Sequence, residues 1–378
     1  MHIIHIIIGL NTGGAEKMLL RLVKAHSNSN ITHQIISLTD IGDVGEEMKD
    51  LGFDVKSLGL TGYKNILKVS FMLFTILRES RPDIVQTWMY HADLIGGVVA
   101  KISGVENIIW GIRSSDITQG GSRLTIFLRW VCSKLSYFIP KLIICAGDNS
   151  RITHESLGYK SSIMRSIPNG FDVKIFLNQN DSYHINRKLL NYAHEDIVIG
   201  WVGRFNHIKG PDIFIKTANM LSEKFNNLKF LIIGNEMTKG NSKISDLIEN
   251  EHSNKFNFLG QRQDMPELFS AMDIFCLSSR SEGFPNALGE AMLMKKACVA
   301  TDAGDSRLLL DETGIIVKKN SIDSLFYGLN QMICLNEKKR LELGQKAHNR
   351  IVENYNLEKC INRFNEIYKE VTDFNTSL

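Results

Sequence analysis

At 378 residues the chain exceeds one ordinary domain, and at about 150 residues per domain it predicts two. Hydrophobic residues make up 43%, charged residues 22%, and only 6 residues are proline, which excludes a disordered or collagen-like chain. The 44 Lys and Arg against 41 Asp and Glu leave a net charge of +3, too near neutral for a protein that coats nucleic acid.

The chain opens on an apolar run, His2 to Ile8, with neither a basic leader nor a small-residue cleavage site, so no signal peptide is expected. Gly13-Gly14 and a helical pattern through Leu19, Leu20, Leu22 and Val23 follow. Strands are expected at 33–38, 54–58, 83–87, 106–112, 141–145 and 162–167, separated by helices at 66–79, 93–102 and 124–138. After Pro168-Asn169-Gly170 a polar stretch, 177–194, interrupts the rhythm. Strands then restart at 197–202, 228–233, 256–259, 274–277 and 297–301, and three helical stretches, 321–335, 337–352 and 357–371, close the chain. Short apolar strands alternating with amphipathic helices are the signature of parallel α/β sheets, here two in succession. Two such domains facing each other would form one cleft, lined by residues that follow the strands.

The six cysteines include no C-x-x-C pair, and most lie in apolar runs, so buried thiols in a reducing, cytoplasmic setting are expected. No apolar stretch approaches the ~18 residues that span a bilayer. D-x-D, H-E-x-x-H, a P-loop and G-x-G-x-x-G are all missing, which argues against a bound metal, ATP hydrolysis and ordinary nicotinamide enzymes; no cofactor is expected.

The strongest constellation is Ser281-Glu282-Gly283-Phe284-Pro285-Asn286, running on through Glu290. It follows a strand and opens a helix near Asn286. Gly283 permits a tight turn, and Pro285 suits a first helical turn. Free amides around Phe284 and Asn286 would face outward with the helix dipole behind them, a phosphate cradle worth roughly 0.3–1 kcal/mol from the dipole alone. Glu290, one turn in, could accept from ribose hydroxyls, and Glu282 stands before the helix.

This segment resembles the E-x7-E motif of the family 4 retaining glycosyltransferases, with Glu282 and Glu290 as the acids. Gly13-Gly14-Ala15-Glu16, the 167–172 junction and Gly203-Arg204-Phe205 through Lys209-Gly210 match further family motifs in order. The resemblance implies the GT-B fold, two Rossmann-like parallel α/β/α domains facing across a cleft. It implies an acceptor-binding domain over 1–172, completed by a C-terminal helix at 357–378, and a donor-binding domain over 173–356.

It further implies a metal-independent, retaining transfer from a nucleotide-diphosphate sugar, most simply a UDP-sugar, to a glycan. The acceptor expected is a lipid-linked oligosaccharide of capsule, O antigen or exopolysaccharide. Arg204 and Lys209 are the expected diphosphate cations. Glu282 is expected to hold sugar hydroxyls, with Gly203, Gly283, Phe284, Pro285, Asn286 and Glu290 on the donor and Gly13, Gly14 and Asn169 also contacting substrate. Where many members carry a cleft histidine after the fourth strand, this chain has Trp88, with His91 three residues later. Either is open for that role, and His91 could instead cap the next helix. Arg113, after the fifth strand, is placed to bind an anionic acceptor group. The glycine-glycine-acid loop near the donor sugar also differs, reading Asp302-Ala303-Gly304-Asp305.

Residues 117–147 contain no acid but include Arg123, Arg129, Lys134 and Lys141. One reading is a core-facing stripe of Leu124, Phe127, Leu128, Val131, Leu135 and Phe138 with a solvated basic flank. The other is a peripheral patch on anionic lipid at the inner face of the cell membrane. Two rivals to the transferase are a UDP-sugar 2-epimerase-like isomerase of the same fold and a non-catalytic sugar-nucleotide-binding module. No nucleic acid partner is expected.

Overall fold

The computed structural model describes residues 1–118, 120–177 and 183–373. Part of the polar stretch, 178–182, and the end of the C-terminal helix expected to reach 378 therefore lie outside the described residues. The chain forms two compact units, Met1–Gly170 with the chain from Leu357 onward, and Phe171–Asn356.

In the first unit the strands are β1 (His2–Ile7), β2 (Thr32–Ser37), β3 (Asp54–Ser57), β4 (Ile84–Trp88), β5 (Ile108–Ile112), β6 (Leu142–Cys145) and β7 (Met164–Ser166). Between them run helices α1 (Gly14–Ala25), α2 (Gly42–Asp50), α3 (Ile66–Ser80), α4 (Tyr90–Ile102), α5 (Arg123–Leu135) and α6 (Asp148–Ser156). The second unit carries α7 (Val173–Leu177), α8 (Tyr183–Leu189), β8 (Ile197–Val202), α9 (Pro211–Lys224), β9 (Leu228–Ile233), α10 (Ser242–Ser245) and β10 (Phe256–Phe258). It continues through α11 (Met265–Ser270), β11 (Ile274–Leu277), α12 (Asn286–Leu293), β12 (Ala297–Thr301), α13 (Ser306–Leu310), β13 (Ile315–Val317), α14 (Ile322–Cys334) and α15 (Glu337–Asn354). Helix α16 (Leu357–Asp373) returns to the first unit.

Both sheets are parallel, ordered β3-β2-β1-β4-β5-β6-β7 and β10-β9-β8-β11-β12-β13. The order reverses between β1 and β4 and between β8 and β11. Those switch points are where loops at the strand ends diverge and leave room for ligands. The sequence pattern did not include β13, whose three residues Ile315–Val317 are too short a run to register.

Side chains alternate across a strand, so β1 sends Ile3 and Ile7 to one face and Ile4 and Ile6 to the other. The first face packs against α1, α2 and α16, and the second against α3, α4 and α5. His5 shares the α16 face with Ile3 and Ile7.

Helix α5 buries only part of the stripe that its apolar residues suggest. Leu124, Phe127 and Phe138 are exposed, as are Trp130 and Tyr137. The residues turned inward are Arg129, Cys132, Ser133 and Ser136, spaced i, i+3, i+4, i+7, with Ile126, Leu128 and Leu135 partly buried against the core beside them. The two serines can be buried because their hydroxyls are answered locally. Ser133 Oγ donates to Trp130 O at 2.8 Å and Ser136 Oγ to Ser133 O at 2.7 Å. Small residues on that side let α5 approach α4 closely, and the bulky ones are displaced outward. Arg129 is accordingly not part of a solvated basic flank.

Candidate active site

At the β8/β11 switch point two loops meet. One joins β8 to α9 through a 3₁₀ turn, His207–Lys209; the other joins β11 to α12. Lys209 Nζ donates to both carboxylate oxygens of Glu282, at 2.7 and 2.8 Å, across 73 residues of chain. Ser279 Oγ donates to the same carboxylate at 2.6 Å. Glu282 is only 6% exposed, so its charge is held out of water and needs these partners.

The scaffold around the pair is specific. Gly210 has φ +65°, and a Cβ there would lie 2.3 Å from Ser278 O, so only glycine lets the first loop close on the second. Ser278 Oγ accepts from Trp201 Nε1 at 2.9 Å and donates to Gly210 O at 2.8 Å. Arg280 clamps the turn, donating to His207 O at 2.7 Å and pairing with Asp212 at 2.6 Å. Gly304, at φ +55°, brings the loop after β12 against Glu282, where a Cβ would meet Glu282 O at 2.3 Å. Asp305 follows it and is buried.

Arg204 is exposed and makes no ion pair among the described residues. Its backbone is pinned on both sides, since Gly203 N–H donates to Ile233 O and Phe205 N–H to Asn235 O, each at 2.9 Å. A cation on a fixed base, in the same connection as a lysine already oriented by a carboxylate, suits a diphosphate.

The start of α12 differs from the expectation at Pro285 and at the Asn286 amide. Pro285 is the N-cap of α12 rather than part of its first turn, with φ −82° and ψ 73°. Asn286 N–H donates to Phe284 O at 2.9 Å, closing an inverse γ-turn, so that amide is engaged. The Phe284 ring is tucked between Phe171 and Tyr355, each 6.2 Å away between centroids. Among the described residues the amides here that donate to no backbone carbonyl are those of Phe284, Ala287 and Leu288. Gly283 and Glu290 are half-buried, Glu290 one turn inside the helix.

In the first unit, Trp88 is fully buried, its indole donating to His5 Nδ1 at 3.2 Å. It is a core residue and cannot fill the role of a cleft histidine. His91 lies in the first turn of α4, half-buried, where burial lowers its pKa and keeps the ring neutral. It does not cap that helix; the N-cap is Met89, with no side-chain cap bond. Met89 sits at φ +71° and ψ 157°, a conformation costly for any residue with a side chain, and is held there by its N–H bond to Gly111 O at 2.8 Å. Strain stored beside a switch point is a mark of a functional loop. Asp93, one turn further and fully buried, accepts from Thr87 Oγ1 at 2.5 Å, and burial pushes its carboxyl up to about 8.

Arg113 does not project into solvent as expected from its place after β5. Its guanidinium lies 4.6 Å over the Trp88 ring and 5.9 Å from that of Phe364. Nη1 donates weakly to Asn169 Oδ1 at 3.4 Å, while Nε and Nη2 are shut off from water with no partner. Burial pushes its pKa down to about 10. Gly13 caps α1 and Gly14 begins it. The space beside Gly13 is taken by the Glu16 carboxylate, 2.4 Å from where a Cβ would stand.

The structure brings Lys209 and Glu282 into direct contact, and the sequence reading did not single out Ser278, Ser279, Arg280 or Met89. Arg280 offered a signal: it is a charged residue just past a strand end at a switch point. Met89 offered none. As for metals, among the described residues only Glu249, Glu251 and His252 come close enough to share an ion, and both glutamates are exposed.

Known proteins give the frame for this geometry. Residues 12–175 match the model described as Glycosyltransferase Family 4, and residues 196–334 that of Glycosyl transferases group 1. The chain is 24% identical over 311 residues to an Escherichia coli UDP-Gal:alpha-D-GlcNAc-diphosphoundecaprenol alpha-1,3-galactosyltransferase, covering 80% of this chain and 79% of that one. It is 26% identical over 294 residues to a Campylobacter jejuni N,N'-diacetylbacillosaminyl-diphospho-undecaprenol alpha-1,3-N-acetylgalactosaminyltransferase, covering 75% and 76%. The crystal structure of Anabaena HepE in complex with UDP and glucose superposes with a TM-score of 0.85 at 19% identity, covering 98% of this chain and all of that one. The two parallel sheets are those of the GT-B fold. The match decides between the transferase and the isomerase or binding-module alternatives: the chain is a glycosyltransferase and belongs to family 4 of those enzymes.

Proposed function

We propose that this glycosyltransferase moves a sugar from a UDP-sugar to a lipid-linked glycan in surface-polysaccharide synthesis, without a metal and with retention at the anomeric carbon. The observation that carries the reading is the Lys209–Glu282 pair at the second switch point, with Arg204 in the same connection as the lysine. The relatives' own donors and undecaprenol-linked acceptors support the substrate classes.

In this reading the second unit holds the donor. Arg204 and Lys209 take the diphosphate and stabilise the charge that grows on it as the bond from phosphate to sugar C1 breaks. The Ala287 and Leu288 amides, with the start of α12 and Gly203 and Gly283 behind them, add to that cradle. Glu290 takes the ribose, and Glu282, already orienting Lys209, holds sugar hydroxyls. The acceptor oxygen forms its bond to C1 on the face that the phosphate leaves, and a phosphate oxygen accepts the acceptor's proton. The first unit serves the acceptor through Gly13, Gly14, His91, Arg113 and Asn169, with Arg113 as the cation for its anionic group.

The outward residues of α5, with the basic Arg123 and Lys134 among them, rest on anionic lipid at the inner membrane face. Leu67 and Phe71 of α3, also exposed, flank the same helix layer through α4. Among the described residues no helix is long and apolar enough to cross a membrane, so the contact is peripheral. The test is transfer from a panel of UDP-sugars to a synthetic polyprenyl-diphosphate sugar in the presence of EDTA. Product whose new bond keeps the donor's anomeric configuration is expected; a strict metal requirement or an inverted bond would overturn the reading.

A further inference from the structure

Three buried or half-buried histidines lie on the α16 side of the first sheet: His5 on β1, His33 on β2 and His26 at the end of α1. They join end to end. His5 Nε2 meets His33 Nδ1 at 2.9 Å, His33 Nε2 meets His26 Nδ1 at 2.9 Å, and His26 Nε2 meets Asn365 Oδ1 on α16 at 2.9 Å. At the other end Trp88 Nε1 reaches His5 Nδ1. An indole N–H can only donate, so His5 Nδ1 must accept and His5 Nε2 must carry the proton. The same logic passes down the row, and each histidine is the neutral Nε2–H form, ending on the Asn365 carbonyl.

The row closes a ring. Trp88 at its start and Phe364, the neighbour of Asn365 at its end, are the two aromatic rings that flank the Arg113 guanidinium. Tyr368 Oη donates to Gln86 Oε1 at 2.5 Å, tying α16 to β4 a second time. We propose that His5, His33 and His26 act as a neutral strut that fixes α16 against β4 and thereby positions the Arg113 guanidinium between Trp88 and Phe364. Its use in catalysis rests on the reading of Arg113 as an acceptor residue.

An extra proton anywhere in the row would set two donors against each other. Burial and the mutual proximity of the rings oppose that proton, holding His5 well below its usual value, His33 at about 3 and His26 lowered. The ionisable groups around the strut are His2 on β1, Arg113 beyond β5, and Tyr368 and Cys360 on α16.

Nitrogen-15 NMR of the full chain labelled at histidine and arginine, without donor or acceptor, tests this. At neutral pH three neutral Nε2–H rings are expected, together with an Arg113 Nε–H protected from exchange. Removing a link should lower that protection at least about ten-fold, in His33→Leu and, at the far end, in Asn365→Leu. His33→Gln, which keeps one donor and one acceptor, should restore it. An Nδ1–H ring or an imidazolium in the row, or Arg113 protection unchanged in both leucine variants, would overturn the strut. These signals need no substrate, so they stand or fall separately from the acceptor reading of Arg113.

Discussion

Lys209 in the second unit and Arg113 in the first are both cations at the carboxyl edge of a parallel sheet, and their surroundings are opposite. Lys209 is held by a carboxylate through both oxygens and keeps a partly exposed ammonium. Arg113 is held by ring faces and one long bond to Asn169, with two nitrogens out of water and unanswered. A compensated cation can be present at modest cost in the empty protein. An uncompensated buried guanidinium destabilises it until an anion arrives. The contrast separates two tasks, orienting a charge that acts in the transition state and waiting for a charged substrate.

The largest expected effect breaks the compensated side. Lys209→Ala should lower turnover at least about 100-fold, as loss of one electrostatic stabiliser does, measured as initial rate under saturating donor. Stability should then move in opposite directions at the two sites. Lys209→Met removes the counter-charge from the buried Glu282 and should cost about 1–3 kcal/mol in chemical denaturation. Arg113→Met removes a charge with no counter-charge and should raise the midpoint instead. A fall at both sites would erase the distinction.

The histidine strut offers a smaller, pH-dependent test. His33 binds a proton with a usual value of 6.5 when unfolded and about 3 when folded. Between those values the unfolded chain carries the extra proton, so stability falls as the pH drops through that window. His33→Gln should make the stability-against-pH slope shallower by about one proton there; an unchanged slope would place His33 outside the row. The smallest effect concerns α5. Phe127→Ser with Trp130→Ser should weaken sedimentation with anionic liposomes while leaving the melting temperature within about 1–3 °C, because both side chains are already in water. Undiminished binding would leave that face without a lipid role.

Much of the fold was legible because strand length and helix period are local properties. Strands 197–202, 228–233, 274–277 and 297–301 could be read to the residue from apolar runs bounded by polar ones. Lys209 and Glu282 were legible as well, since both follow strands that neighbour each other in a parallel sheet. What escaped depended on partners far away in the chain. Nothing near residue 113 says that Trp88 and Phe364 would enclose its guanidinium. The outward turn of α5 escaped for another reason. Hydrophobic periodicity identifies an amphipathic helix, but Ser133 and Ser136 bury themselves by bonding their own helix, and Leu124, Phe127 and Phe138 then face out while Leu128 and Leu135 stay against the core. The engagement of the Asn286 amide in the γ-turn at Pro285 escaped as well, a detail set by ψ and not by residue type.

The division of labour between the two cations is the central claim, and titration calorimetry of UDP tests it most directly. With wild type, Lys209→Ala and Arg113→Met in parallel, binding should weaken at least about ten-fold in Lys209→Ala, the worth of a charge-assisted bond, and stay unchanged in Arg113→Met. UDP binding that survives in Lys209→Ala and is lost in Arg113→Met would contradict the account.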